Sequence, residues 1–436
     1  MDTQATNQDL FPRKIVPGIT KYLNDKGVIV LVGARQVGKT SILYLLMDEL
    51  KRRGTPEKAV LYFDLEDLAL LEVFNSGVPE LISYLKAKGI DAQGRNYLFV
   101  DEIQYMNDPT HFLKLIADHH KNLKLIVSGS STLEIRKKFK DSLAGRKVVF
   151  EVFPLDFKEF LVFKGEKELA GTVEKSDIRY LAPDAGKKEI PARFFAKELE
   201  RHFNEYLVFG GYPRVALEAE REKKMAYLTD IYQSYVKKDI KDIMRVDNVA
   251  AFNNLLKALA LQIGSLVNMA ELCNTVKIAR ETLERYFFLL ENTFIIKMVS
   301  PFSRNPRKEI SKMSKVYFVD TGLRNILIRN FNDPDERVDA GPLVENSVFG
   351  SLLKNLSPLE EIRFWRTLAG NEVDFVIEGG DKTKPVEVKY SSFKSPRVPL
   401  GIRNFQKEYG AGEGIVLTRD YFGKTGEAVF LPAWLC

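Results

Sequence analysis

Over the first 150 positions, apolar residues fall into short unbroken runs separated by stretches in which they return every three or four places. The runs Val28–Val32, Ala59–Phe63, Tyr97–Val100 and Leu123–Val127 have the length and density of buried strands. The stretches 41–51, 66–74, 78–88 and 109–119 have the period of amphipathic helices, and a shorter one is expected near Ile15–Leu23. Strand and helix in alternation predict a parallel sheet covered on both faces. The runs end in polar clusters: glycines and Lys39 after the first, Asp64 after the second, Asp101 and Glu102 after the third, Ser128 to Ser131 after the fourth. Ligands of such sheets gather at the carboxyl ends of the strands, where all these clusters lie.

Beyond residue 150 the pattern turns mainly helical, with helices expected over Asp156–Phe163, Pro191–Tyr206 and Lys223–Ile243. The charged, Gly-rich stretch 165–189 reads as a loop or insertion, and Gly210-Gly211-Tyr212-Pro213 as a tight turn. Three more helical patterns begin at Asn253 and lead to an apolar strand, Phe294–Val299. Within them, Asn268–Cys273 and Ile278–Leu290 have helix–turn–helix spacing, with Thr275–Lys277 as the turn and the strand as the start of a wing. The remainder predicts a strand at Val316–Val319, a helix at Pro342–Leu356 and strands near Glu361–Trp365, Val373–Ile377, Val386–Val388 and Gly414–Leu417. The divisions expected are 1–150, 151–245, 246–305 and 306–436.

Composition narrows this picture only a little. A chain of 436 residues exceeds one compact core, and 45% hydrophobic with 28% charged residues is ordinary for a globular protein. A net charge of +6 permits a nucleic-acid partner without demanding one. Cys273 and Cys436 are the whole cysteine complement, which excludes a disulfide framework and a cysteine-rich zinc site. The polar start, Met1–Lys14, and the absence of a long apolar stretch predict a cytoplasmic protein with no membrane partner.

The first polar cluster carries the sharpest chemistry. Gly33-Ala34-Arg35-Gln36-Val37-Gly38-Lys39-Thr40 is G-x-x-x-x-G-K-T between a strand and a helix, the pattern of a phosphate-binding loop. Gly33 and Gly38 are expected at positive φ, close to a phosphate. The loop N–H groups, with Ser41 in the first helical turn, then face the anion of ATP. Lys39 reaches the β- and γ-phosphates, and Thr40 ligates Mg²⁺. Asp101 is expected in the Mg²⁺ shell and Glu102 as the group that activates water. Ser128 and Ser130 are candidate γ-phosphate sensors or plain turn residues. Arg146 is a candidate arginine finger or an ordinary surface arginine, and Lys137, Lys138, Lys140 and Lys147 read as a solvated basic face.

A second constellation lies in the tail. Asp374 stands among apolar neighbours, and Pro385-Val386-Glu387-Val388-Lys389 alternates so that Glu387 and Lys389 share one strand face. Two adjacent strands then aim Asp374, Glu387 and Lys389 at one point, which resembles the core of PD-(D/E)XK nucleases, with Glu345 on the preceding helix as the added acid. The carboxylates Glu345, Asp374 and Glu387 would hold a metal while Lys389 orients water. The competing reading is a half-buried hairpin whose charged face meets solvent. Trp365 and Arg366 either contact substrate or pack on the sheet edge. On the helix–turn–helix, Arg280, Thr282, Glu284 and Arg285 fall near the start of the second helix, where a major groove is read, although Glu281 and Glu284 oppose DNA contact.

The pieces G-A-R-Q-V-G-K-T, F-V-D-E-I-Q, V-S-G-S-S, L-A-G-R, F-P-L-D-F-K-E-F, G-G-Y-P and V-Y-F-V-D-T-G-L occur in this order. Together they resemble a large family of bacterial and archaeal ATPases that join an AAA-type P-loop domain to a C-terminal region of unknown function. The resemblance covers nearly the whole chain and implies ATP with Mg²⁺ as cofactors, with Lys39, Thr40, Asp101 and Glu102 matching the Walker motifs. The fold class expected is α/β: a P-loop NTPase parallel sheet with a helical lid, a winged-helix domain and a C-terminal restriction-endonuclease-like domain. The function expected is Mg²⁺-dependent ATP hydrolysis coupled to DNA binding, with the tail binding or cutting nucleic acid; a homo-oligomer in which a neighbour supplies the arginine is left open. The alternative is a nucleotide-driven switch that binds protein partners, its tail inactive.

Overall fold

The computed structural model describes residues 10–91, 93–130, 143, 145–176, 190–235, 248–303, 313–380 and 382–436. They form two compact units, one ending at Phe153 and joined by Asn292–Phe294, the other holding the rest from Pro154 onward.

The first unit is built on β1 (Val28–Gly33), β2 (Val60–Asp64), β3 (Asn96–Asp101), β4 (Leu123–Ser130) and β5 (Lys147–Val152), in the order β2-β3-β4-β1-β5. Every pairing is parallel, as the alternation predicts. β1 and β3 are buried along their whole length, so their apolar runs show no polar alternation. The helices fall at Val16–Thr20, Lys39–Arg52, Leu68–Asn75, Val78–Ala87 and Pro109–His119, close to the expected stretches. β5 is an unexpected strand. It is an edge strand of mostly half-buried residues, so Lys147 and Glu151 break the apolar run that marks the other four.

The second unit opens with helices Phe157–Phe163, Ala196–Phe209, Pro213–Leu217 and Arg221–Ser234, the segment expected as a lid. A helix also occupies Lys167–Lys175, where a loop was expected, and 177–189 lie outside the described residues. Helices Val249–Leu261, Met269–Val276 and Arg280–Asn292 follow, the last two separated by Lys277 in the left-handed conformation. β6 (Ile296–Val299) then pairs antiparallel with β7 (Lys315–Phe318), which gives the helix pair its hairpin. The hairpin's second strand lies past the division expected at 305.

Helix Ala340–Asn355 leads into β8 (Glu360–Arg366), β9 (Glu372–Gly379), β10 (Lys382–Lys389), β11 (Gly414–Thr418), β12 (Gly423–Lys424) and β13 (Ala428–Pro432). They form one mixed sheet, β12-β13-β11-β10-β9-β8. Two further unexpected helices complete the unit, Thr321–Ile328 and Leu400–Tyr409.

Three of the motifs behind the family resemblance meet inside this unit. Buried Asp320 accepts from the Gly211 amide at 2.7 Å and caps the helix after it through the Leu323 amide. The Gly211 carbonyl in turn accepts from the Leu155 amide at 2.7 Å. A side chain at Gly211 would strike the Leu155 carbonyl, and one at Gly322 the Phe209 carbonyl. Residues of F-P-L-D, G-G-Y-P and V-D-T-G-L thus form one packed knot, which explains their glycines without any ligand.

Candidate active site

The nucleotide motif folds as expected at its centre. Gly38 has φ 91° and caps the helix that begins at Lys39. The Lys39 ammonium is drawn back onto the loop, donating to the carbonyls of Gly33 at 3.1 Å and Ala34 at 2.9 Å. Thr40 Oγ1 donates to Asp101 Oδ2 at 2.5 Å, uniting two residues 61 positions apart. Asp101 also accepts from the Tyr62 hydroxyl at 3.2 Å, from the Glu102 amide at 3.0 Å and from the Ser128 hydroxyl. Four donors therefore fix this carboxylate.

Two details differ from expectation. Gly33 is not at positive φ; that role falls to exposed Gln36, with φ 60°. Gly33 is required because a Cβ there would collide with the Val152 carbonyl of β5. Val37 buries its side chain completely, leaving only its backbone toward the loop, and its carbonyl is held by the buried Arg13 guanidinium at 2.8 Å. No sequence signal pointed to Arg13.

Glu102 turns the chain at the end of β3 in a left-handed conformation, φ 54°. Burial pushes its carboxyl up from the ordinary value, against the pull of Lys39 and of the Gln104 amide. Ser128 donates its hydroxyl to Asp101 and so orients that acid. Ser130 pairs with Gly33 in the sheet, and its side chain lies outside the described residues, as do Lys137, Lys138 and Lys140. Arg146 is at the other end of the sheet. Its neighbour Lys147 pairs with Val28, the amino end of β1, roughly 16 Å along the strand from Gly33 at ~3.3 Å per residue. Its guanidinium is paired with Asp118 at 2.5 Å. Within one chain, Arg146 does not reach the loop.

In the tail, Asp374 and Glu387 do come together: the Asp374 amide donates to Glu387 Oε2 at 3.3 Å, and the Val388 amide to Asp374 Oδ2 at 2.8 Å. Lys389 pairs with Glu387 at 2.7 Å. A residue absent from the expectation stands in the middle. Lys315, 2% exposed on β7, lies 2.5 Å from Glu372, 3.3 Å from Glu345 and 3.9 Å from Asp374. Tyr317, two places along the same strand face, donates to Glu345 at 2.5 Å. Burial pulls the Lys315 ammonium down, but Glu345, Asp374 and Glu372 outweigh it and leave it above its ordinary value. Among the described residues no three acidic, histidine or cysteine side chains are disposed to hold a metal. Lys315 is the counter-charge of Glu345 and Asp374, and Lys389 that of Glu387. Trp365 is core, packed with Val373, Val376 and Phe405, while Arg366 pairs with Glu372 at 3.3 Å.

Comparisons with known proteins agree with the front half most clearly. Residues 25–161 match the AAA domain family. With the P-loop fold, this supports an AAA-type ATPase and, with it, nucleotide binding and hydrolysis. Two domains of unknown function match beyond the AAA domain, DUF8612 over 200–334 and DUF4143 over 340–434. An uncharacterized protein of Haemophilus influenzae is 23% identical, with 93% of each chain covered. One from Methanocaldococcus jannaschii is 28% identical over 81% of this chain and 72% of its own. Among solved structures, the Walker-type ATPase of Pyrococcus abyssi aligns with a TM-score of 0.41 at 16% identity, covering 74% of this chain and 97% of that one. No helix among the described residues is long and apolar enough to cross a membrane.

The AAA domain's acids were legible because each ends an apolar run. Lys315 was not: it begins a strand, K-V-Y-F, and its partners come from a helix and strand 30 to 59 positions later. Burial and the neighbouring Asp374 charge push Glu345 and Glu387 up to about 7. Both values exceed those of the unfolded chain, near 4.5. The folded state therefore binds more protons between the two values, and stability present below pH ~4.5 is lost as pH rises through about 7. The melting temperature of the second unit should fall between pH 5 and 8, with a shallower slope in Glu387→Gln; an unchanged slope in that variant would contradict the assignment.

Proposed function

We propose that the chain is a magnesium-dependent ATPase that works on DNA. The observation that carries the engine is the 2.5 Å bond from Thr40 to Asp101, beside a lysine already folded onto the loop. Hydroxyl and carboxylate oxygens are the donors Mg²⁺ prefers, so Thr40 and Asp101 would hold it, and it would neutralise charge on the β- and γ-phosphates. The loop amides from Gly33 to Ser41 cradle the phosphates. Lys39 exchanges its two carbonyl acceptors for phosphate oxygens. Glu102 takes a proton from the attacking water, a role suited to a carboxyl whose basicity burial has raised. Arg146, paired with Asp118 at the amino edge of the sheet, could serve as a finger only on a neighbouring subunit's nucleotide.

DNA is proposed to engage the helix pair and hairpin, which have winged-helix order, with the tail fold as a nuclease-like partner. Arg280 is exposed but paired with Glu284 at 2.9 Å, so contact with a phosphate must break that pair. The four-part division at 150, 245 and 305 belongs to this reading. A specific observation favours the second reading, a nucleotide-driven switch with an inactive tail: the Lys315 ammonium lies against Glu345 and Asp374, two of the acids proposed to hold a metal. Cleavage therefore requires a state in which Lys315 has left the acids.

ATP turnover measured with and without single- and double-stranded DNA separates the two. Stimulation by DNA, with nicks in Mg²⁺ or Mn²⁺ that vanish in Asp374→Ala and Lys389→Ala, supports the first. Neither binding nor a rate change leaves the switch.

A further inference from the structure

We propose that Gln104 is a catalytic residue of the ATPase reaction, holding the attacking water against Glu102 through its amide oxygen. This rests on the ATPase reading above and goes beyond the four Walker residues.

The geometry begins with Glu102, whose left-handed conformation throws the chain into the single 3-10 turn Ile103–Tyr105. The turn is closed by the Tyr105 amide on the Glu102 carbonyl at 3.1 Å and anchored by Ile103, which is wholly buried. Side chains 102 and 104 consequently lie together, and Gln104 Nε2 donates to Glu102 Oε2. That orientation of the amide is dictated by charge, since the reverse would set a carbonyl oxygen against a carboxylate. It leaves Gln104 Oε1 buried with no hydrogen-bond donor. An amide oxygen in that position carries a desolvation cost unless something donates to it. A sequence could avoid the cost with leucine or methionine.

The attacking water supplies the missing donor. Its oxygen forms a bond to the γ-phosphorus while the bond from that phosphorus to the bridging β,γ-oxygen breaks, its electron pair leaving with ADP. One water proton passes to the Glu102 carboxylate. The other O–H donates to Gln104 Oε1 and is not transferred, so the products are ADP, phosphate and a protonated Glu102. With both O–H bonds directed, the water lone pair faces phosphorus. Gln104 also keeps Glu102 from rotating away between turnovers.

Gln104→Met preserves length and apolar volume but removes donor and acceptor. Its kcat should fall roughly 10²-fold while KM for ATP changes less than about twofold, since the lost contact is made to water and not to nucleotide. Gln104→Asn, one methylene short, should lose turnover comparably. In the Glu102→Gln background, Gln104→Met should cost almost nothing further, because two residues acting on one water do not add. Turnover within about threefold of the parent overturns the proposal, as does a full additional loss in the double variant. A matching loss of ATP-analogue binding also overturns it, by making Gln104 a packing residue. These outcomes are distinct from failure of the ATPase reading, in which the parent chain itself hydrolyses no ATP.

Discussion

Glu102→Gln is expected to bind ATP as the parent does and to hydrolyse it about 10²–10⁴-fold more slowly, the usual worth of a positioned general base. The change is nearly isosteric and keeps a partner for Gln104, so the turn 103–105 has no reason to move. It removes only the group able to take a proton. Lys39→Ala should behave differently. It deletes the cation that the loop has already drawn over the Gly33 and Ala34 carbonyls, so nucleotide affinity falls together with turnover. Measuring nucleotide binding by calorimetry and hydrolysis by phosphate release on both variants separates the two roles. Undiminished turnover in Glu102→Gln would remove the glutamate from the chemistry and, with it, Gln104.

Lys315→Ala should be the most damaging single change in the second unit. The ammonium is the shared counter-charge of Glu345, Glu372 and Asp374, and removing one side of a buried ionic cluster costs about 3–5 kcal/mol. For a unit of this size that corresponds to a fall in melting temperature on the order of 10 °C. The cost should also depend on pH. Near pH 5 the acids, already pushed toward the neutral form by burial, can protonate and shed their repulsion; at pH 8 they cannot. A loss equal at both values would mean that the lysine stem matters only as packing. Recovery of the variant's stability on adding millimolar Mn²⁺ would show that the cage accepts a divalent ion once the lysine is gone.

These expectations draw on different depths of the same chain. The Walker residues were readable because a phosphate site is local: a strand, a tight loop and a helix within 25 residues dictate where the N–H groups point. Asp101 and Glu102 were readable because a parallel sheet delivers the ends of its strands to one edge. The alternation around Glu387 was equally legible, and Glu387 does meet Asp374 across the β9–β10 pairing. Arg146 marks the limit of that logic. Its motif, L-A-G-R, follows the fourth strand closely, yet the register of β5 against β1 sets it at the amino edge, beside Asp118.

Local spacing determined four of the five strands of the first sheet, the helices between them, the G-x-x-x-x-G-K-T loop and the place of Asp101 and Glu102 at a strand end, because each depends on periodicity within a few tens of residues. Long-range packing decided the rest. It made Gly33 a close-approach glycine, knotted Asp320 to Gly211 and Leu155, and delivered Lys315 from the hairpin into a cage of acids drawn from a helix and a neighbouring strand. A buried charge is stable only where distant segments bring its partners, and such partnerships leave no period in the sequence.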